Sequence, residues 1–300
     1  MTTGTALPPA TPDAPRLKGR GTPLRERLFQ AGLWASLAIG VVFLVGLLTY
    51  VVVEGWSRLT PKLWTNFPDI IDPSNAGAQS AITGTIWVIT FTALYCLPTG
   101  VLTAIYLEEY ADRDRWWNRA IEINIQNLAA VPSIVYGILG LGVISRGLGF
   151  GQTVLTASLT LSLLVLPIVI ISSREAIRAV PQSIRQASLA LGATRWQTVW
   201  RQVLPAAVPG MATGSILALS RAIGEAAPLL LLGGLTFITF NPTGVHSQFT
   251  VLPIQIFNWI SQSRAEFTAL ASAAIVILLV ILLAMNSLAI WLRNHFSRHW

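Results

Sequence analysis

Charge is scarce in this chain of 300 residues. Asp, Glu, Lys and Arg make up 11% of it and apolar residues 53%, whereas a soluble domain carries roughly a quarter of charged residues. Such a composition argues against a soluble enzyme or binding module and points to an integral membrane protein. Cysteine is nearly absent: Cys96 stands alone inside an apolar run, so neither a disulfide framework nor a thiolate metal cluster is available, and it reads as a small buried hydrophobe. His246, His295 and His299 show no ligand spacing, so no metal site is expected, and no catalytic constellation emerges. The G-x-x-x-x-G-K-[ST] phosphate loop is missing as well, so the chain is not itself an ATP motor. Basic residues outnumber acidic ones by 20 to 13, but they lie between hydrophobic runs rather than on one soluble face, which argues against nucleic-acid binding.

What is present is a series of long apolar runs. Leu28–Val53 follows Arg25, Glu26 and Arg27 without a charge and lacks the short core and cleavage site of a signal peptide, so it reads as a retained span. Further runs lie within Pro73–Leu107, Ile123–Ser145, Gly147–Ser173, Gln202–Leu235 and Phe267–Leu292, each long enough for the roughly 17–25 residues that a crossing needs. The expected fold is all-α integral membrane, with six transmembrane helices near 28–53, 81–107, 125–145, 153–173, 205–235 and 267–292. Residues 1–27 are expected to be a disordered cytoplasmic tail and 28–300 a single transmembrane domain. Pro98, Pro167 and Pro228 fall inside spans, and Trp56, Trp116, Trp117 and Trp291 flank them as interfacial anchors do.

Arginine and lysine set the orientation. With the N-terminus inside, fifteen basic residues lie in cytoplasmic segments and only Arg58, Lys62, Arg146 and Arg264 outside, so both termini are expected in the cytoplasm. That topology puts residues 174–204 in the cytoplasm. Pro181 opens a short helix over Gln182–Leu191, with Ile184, Ala187 and Leu191 on one face and the small Ala187, Ser188 and Ala190 permitting close approach. Gly192 suits its C-terminal cap. Thr194 and Gln197 then form a capping box, and Trp196, Val199, Trp200 and Val203 an apolar stripe, before Leu204-Pro205 turns the chain back into the bilayer. Such an elbow suits either a docking surface for a soluble partner or an amphipathic connector lying in the interface.

The elbow resembles the cytoplasmic loop of ABC-importer permeases, whose pattern is E-A-A, three residues, G, nine residues, I-x-L-P. Here Gln186-Ala187-Ser188 precede Gly192 by that spacing, and Leu204-Pro205 follow it, with Gln186, Ser188 and Gln202 departing from the pattern. IYLEEYA at Ile105–Ala111, NLAAVPSIVYGILGLG at Asn127–Gly142, LALGATRWQTV at Leu189–Val199 and ILALSRAIGEAAPLL at Ile216–Leu230 together resemble the A-type permease subunits of bacterial phosphate-specific ABC importers. The resemblance implies a type I permease fold in the bacterial cell membrane, with a coupling helix seated in a groove of a cytoplasmic ATPase dimer that binds ATP and Mg. Gln186, Ala187, Ser188, Leu191, Gly192, Leu204 and Pro205 would be the coupling residues. It further implies a homologous second permease subunit and an extracytoplasmic phosphate-binding protein docking on the long outer segments Glu54–Ser80 and Thr236–Glu266.

The fifth span carries its own signal. Arg221 lies near the centre of the Gln202–Leu235 run, and Glu225 follows one turn later on the same face. An ion at that depth costs about 2.5–3.5 kcal/mol even on mild scales, so two of them need a reason. A guanidinium fork on the path of phosphate is one, and the resemblance favours it; a pair that only fixes helix packing is the other. Ser133 and Tyr136, behind the Val131-Pro132 break, are further path candidates, and Gly210-x-x-x-Gly214 is expected to pack helices. Glu108, Glu109, Asp112 and Asp114, beside Arg113 and Arg115, read as a solvated, mutually paired loop. Open alternatives are an importer of sulfate or molybdate, an ATP-independent anion channel or carrier, and a signalling subunit that does not conduct.

Overall fold

In a bilayer a spanning segment must satisfy its own backbone N–H and C=O groups, so long apolar runs become helices. The computed structural model describes residues 24–112, 114–232 and 237–296, and among them every regular element is helical. The chain divides into a unit ending at Tyr50 and a unit beginning at Val51. The first contains most of α1 (Leu24–Gly55), whose apolar side chains are exposed from Leu24 to Tyr50, as suits a helix in lipid. α1 takes in Leu24, Arg25, Glu26 and Arg27, which the sequence assigns to the tail; the rest of that tail lies outside the described residues.

The second unit continues with α2 (Pro61–Thr65), then α3 (Gln79–Ile105), which runs on through a π-helical segment at Tyr106–Tyr110. α4 (Trp116–Ala129) and α5 (Ser133–Leu139) follow, α5 extending as a π-helical segment to Gly147. α6 (Val154–Arg178) and α7 (Gln182–Ala190) lead to α8 (Arg195–Thr198), which continues through a π-helical Val199–Val203 into α9 (Leu204–Gly224). α10 (Ala227–Leu231), α11 (Leu252–Ile260) and α12 (Ala265–Phe296) complete the unit.

α6 is the hub, with Val154, Ala157, Val165 and Val169 fully buried between α3 and α9. Lipid offers helices no hydrophobic incentive to associate, so small residues and hydroxyls supply it. Ser158 Oγ donates to the Val88 carbonyl at 3.1 Å and Ser162 Oγ to that of Thr92 at 3.2 Å, joining α6 to α3. On the other flank Gly210 and Gly214 face Ala176 and Ser172 so closely that a Cβ at Gly210 would stand 2.8 Å from that of Ala176. The G-x-x-x-G motif therefore packs helices.

Among the described residues five helical runs are long and apolar enough to cross a membrane, and α4 with α5 makes a sixth crossing only as a bent pair. Here the structure departs from the sequence expectation of a continuous helix over 125–145. The axis turns by 107° at Ala130–Pro132, because Pro132 has no N–H to donate and disfavours helical backbone at Val131. Residues 125–129 thus belong to α4, an amphipathic helix with Trp116 and Trp117 at its start. Nor does the chain turn at Leu204-Pro205. Pro205 occupies the first turn of α9, where its missing N–H is tolerated, and the helical run is continuous from Arg195 to Gly224.

α5 packs against α10 with Gly137 on the backbone of Pro228: an added Cβ would lie 2.7 Å from Pro228 Cα and 2.9 Å from its carbonyl oxygen. Backbone against backbone leaves nothing to rotate away. Gly137→Ala is expected to cost about 1–3 kcal/mol and several degrees of thermal stability in detergent. Gly142→Ala, whose Cβ meets nothing within 4 Å, is the control and should unfold with the parent.

The two ends of this unit differ. At one, the segment around 245–252 folds over the starts of α3 and α6: Val154 and Leu155 N–H donate to Ser247 and Val245 carbonyls at 3.0 and 2.8 Å, and Leu252 N–H to Thr85 Oγ1 at 2.9 Å. Arg264 Nη1 reaches the Ile71 carbonyl and Arg58 Nη1 that of Pro73, fastening the loop before α3. Within it, hydrogen bonds from the Ser74 hydroxyl and N–H and from Asn75 hold the Asp72 carboxyl below the usual carboxylate range. The other end carries Arg174, Arg178, Arg185, Arg195 and Arg201.

Candidate functional site

Pro228 would have to donate to the Gly224 carbonyl for α9 to continue, and it has no N–H. α9 therefore stops at Gly224. Glu225 takes extended backbone (φ −81°, ψ 105°) and α10 restarts at Ala227, so the uninterrupted span expected over 205–235 is two helices. Residues 233–235 of that span lie outside the described ones. Unwound backbone inside a membrane protein is tolerated where it is packed by protein or lines a cavity.

Arg221 and Glu225 flank this break. Arg221 Nε donates to Glu225 Oε1 at 3.2 Å; the arginine side chain is 53% exposed and the glutamate 19%. The pair the sequence suggested is formed. The cation presents itself on a face of α9 where Leu217 and Gly224 are also exposed. Its depth differs from expectation. Ala222 and Leu229 meet Leu161 around a small apolar void, and Leu161 lies seven residues from the start of α6 and seventeen from its end, about 10 Å and 25 Å of helix rise. The break thus sits toward the end closed by the 245–252 segment, rather than at the centre of the span.

Ser133 and Tyr136 open α5. The Tyr136 hydroxyl donates to the Leu128 carbonyl at 2.9 Å and its ring is buried, so it closes the bend between α4 and α5. Ser133 is half-buried at the first position of α5.

The elbow forms at Gly192, whose φ of +82° is strained for any residue with a Cβ. Its N–H donates to the Leu189 carbonyl at 2.9 Å and that of Ala193 to Ser188 at 3.2 Å, the Schellman closure of α7. The capping box of α8 is present in both directions, Thr194 N–H to Gln197 Oε1 at 2.9 Å and Gln197 N–H to Thr194 Oγ1 at 3.3 Å. Ser188 and Thr198 hydroxyls meet at 2.9 Å, fastening α7 to α8. Gln186 and Ala187 are exposed, and Leu191 is 90% exposed. The expected stripe divides: Val199 and Val203 are buried with Leu204, while Trp196 and Trp200 stay exposed with ring centroids 5.1 Å apart. The π-helical turn over Val199–Val203 changes the residue spacing within the stripe.

The acidic cluster overturns its sequence reading in part. Asp112 and Arg115 are an exposed pair at 3.4 Å, as a solvated loop requires. Arg113 lies outside the described residues. Glu108 and Glu109, however, are buried in the π-helical extension of α3. Glu108 accepts from Arg178 Nη2 at 2.9 Å and Arg174 Nε at 3.4 Å, and Glu109 from Arg185 Nη2 at 2.7 Å. Arg174 also reaches Glu122 of α4 at 2.8 Å. The signal was in the sequence: Arg174 and Arg178, one turn apart on one helix face, need an anion, and two adjacent carboxylates end an apolar run.

The family described as binding-protein-dependent transport system inner membrane component matches residues 96–300. A probable ABC transporter permease protein of Bacillus subtilis, YqgI, is 33% identical over 273 residues, covering 87% of this chain and 92% of that one. The phosphate transport system permease protein PstA 1 of Mycobacterium tuberculosis is 32% identical over 252 residues, covering 83% and 82%. Among solved structures, a chain of a bacterial alginate ABC transporter superposes with a TM-score of 0.66 at 17% identity, over 91% of this chain and 96% of that one. One of the MetNI methionine ABC transporter superposes with 0.57 at 18% identity, over 74% and 95%.

Proposed function

From the premise that this chain belongs to the binding-protein-dependent transport system inner membrane component family, we propose that it is the permease subunit of an ATP-driven importer of inorganic phosphate. The observation that carries the reading is the half-exposed Arg221 at the break between α9 and α10, in a chain about a third identical to phosphate permeases over most of its length. A pair that served packing alone would be expected to bury its guanidinium; this one presents it on an open face. Phosphate is a mono- or dianion, and a guanidinium binds its oxygens through two parallel N–H bonds.

The chain is not the enzyme of the system; hydrolysis of ATP belongs to a separate subunit. The arginine end faces the cytoplasm with both termini, by the excess of basic residues there. α7 with its exposed Leu191 sits in the groove of the ATPase dimer, a homologous permease covers the open face of α9 and supplies the other half of the path, and a phosphate-binding protein docks on the opposite end. That end offers Ile71, 88% exposed, beside Asp69 and Asp72. ATPase closure moves α7 and reorients α9, so that the Arg221 region opens to alternate sides.

Uptake of labelled phosphate, sulfate and molybdate into proteoliposomes holding the assembled complex tests this directly. Phosphate-selective uptake that needs ATP is the expected result. Uptake without ATP identifies a carrier or channel instead, and preference for another oxyanion keeps the architecture while replacing the substrate.

A further inference from the structure

The IYLEEYA stretch has no part in the path or in the elbow, yet three arginines of the 174–185 segment converge on its two carboxylates. We propose that Glu109 and Glu108 are the positioning residues that make α7, α6 and the end of α3 one rigid body, so that a push on α7 is transmitted through buried ion pairs. This rests on the reading above that α7 receives the stroke of an ATPase.

Arg185 is the centre of the argument. Its guanidinium makes four bonds: Nε and Nη2 to Glu109 Oε1 at 3.1 and 2.7 Å, Nη2 to the Ile177 carbonyl at 2.9 Å, and Nη1 to the Val180 carbonyl at 2.6 Å. Those carbonyls lie at and just past the C-terminal end of α6, where the regular i to i−4 ladder runs out and the Ile177 carbonyl accepts a long bond from the Val180 N–H at 3.3 Å. One side chain on α7 thus caps α6 and grips α3 together. The Arg185 and Glu109 side chains are 12% and 8% exposed, so water and salt screen the pair little. Apolar packing would not replace it, because no residue of α7 is fully buried.

The grip continues inward. Arg174 joins Glu108 to Glu122 on α4, the Tyr136 hydroxyl ties α4 to α5, and Gly137 seats α5 on Pro228, three residues from Glu225. α7 also meets the α8–α9 run, through the Gly192 turn, the Ser188–Thr198 hydroxyl pair and Ile184, which packs against the cluster holding Val199, Val203 and Leu204. The ion pairs and hydrogen bonds therefore carry a push on α7 into α3, α6, α4 and α5.

In the reconstituted complex, phosphate carried per ATP hydrolysed reads the coupling. Glu109→Gln and Arg185→Gln are each expected to lower that ratio at least about fivefold while ATP hydrolysis persists. The double variant should lose no more than the worse single, because both remove one linkage. Glu26→Gln, at the exposed start of α1 and apart from the path, the elbow and the docking segments, should leave the ratio alone. An unchanged ratio in Glu109→Gln, or losses that simply add, overturns the proposal. If a Gln variant fails to assemble, Arg185→Lys keeps the charge but gives up the fork; a lowered ratio in it supports the proposal and an unchanged one overturns it. Amide exchange of residues 182–190 in the same complexes reads the clamp without transport, with faster exchange in the variants expected and parental exchange overturning it. Failure of the parent complex to take up phosphate with ATP would instead count against the functional reading.

Discussion

Arg221→Ala loses about a hundredfold in phosphate uptake and Arg221→Lys about tenfold, with the complex still assembled: this is the larger of the two effects expected. A hydrogen bond to a charged group is worth about 1.5–3 kcal/mol, and each 1.4 kcal/mol is tenfold. Alanine removes the whole fork and also strips the Glu225 carboxylate of its partner, leaving an anion that repels the one being carried. Lysine keeps the charge but only as a point. Two further readings separate the path role from a packing role. The pair joins residues four apart and is not a bond between two helices of this chain, so neither variant of the chain should unfold appreciably earlier. Adding Glu225→Gln to Arg221→Ala should restore part of the uptake by removing the stranded charge. Unaltered uptake in Arg221→Lys would favour the packing role, and so would a large drop in thermal stability with normal uptake in whatever folds.

Gly192→Val should separate ATP hydrolysis from uptake, lowering phosphate carried per ATP about tenfold or more. The turn needs φ +82°, where a left-handed residue with a Cβ costs about 1–2 kcal/mol and a β-branched one is more strained still. Space is not the obstacle, since nothing lies within 4 Å of an added Cβ; the backbone itself must shift. Shifting it breaks the Gly192 and Ala193 hydrogen bonds that close α7 and moves Leu191 and Gln186 relative to α8. Gly192→Asn, which tolerates the left-handed region better, should retain more coupling. Full coupled uptake in the valine variant would remove the elbow from the mechanism.

The sequence by itself determined whatever depends on local pattern. The scarcity of charge and the length of the apolar runs implied a helical membrane protein, and four of the six expected spans stand close to where hydropathy put them, because a lipid-exposed segment has no other way to satisfy its backbone. The elbow was also legible: Pro181, Gly192, Thr194 and Gln197 act within a few residues of themselves, and each occupies its expected position. So was the Arg221–Glu225 contact, which is one turn of helix. Only the tertiary structure decided the rest. Pro132 and Pro228 were both seen, but whether a membrane proline is tolerated or breaks its helix depends on what packs beside it; Pro98 and Pro167 lie inside continuous helices, while these two bend the chain at α5 and end α9. The depth of Arg221 followed from that break. The burial of Glu108 and Glu109 depended on arginines 66 to 76 residues away, reached only once α3 and α6 lie side by side. Periodicity reports which residues share a helix face; what that face meets is set by the other helices.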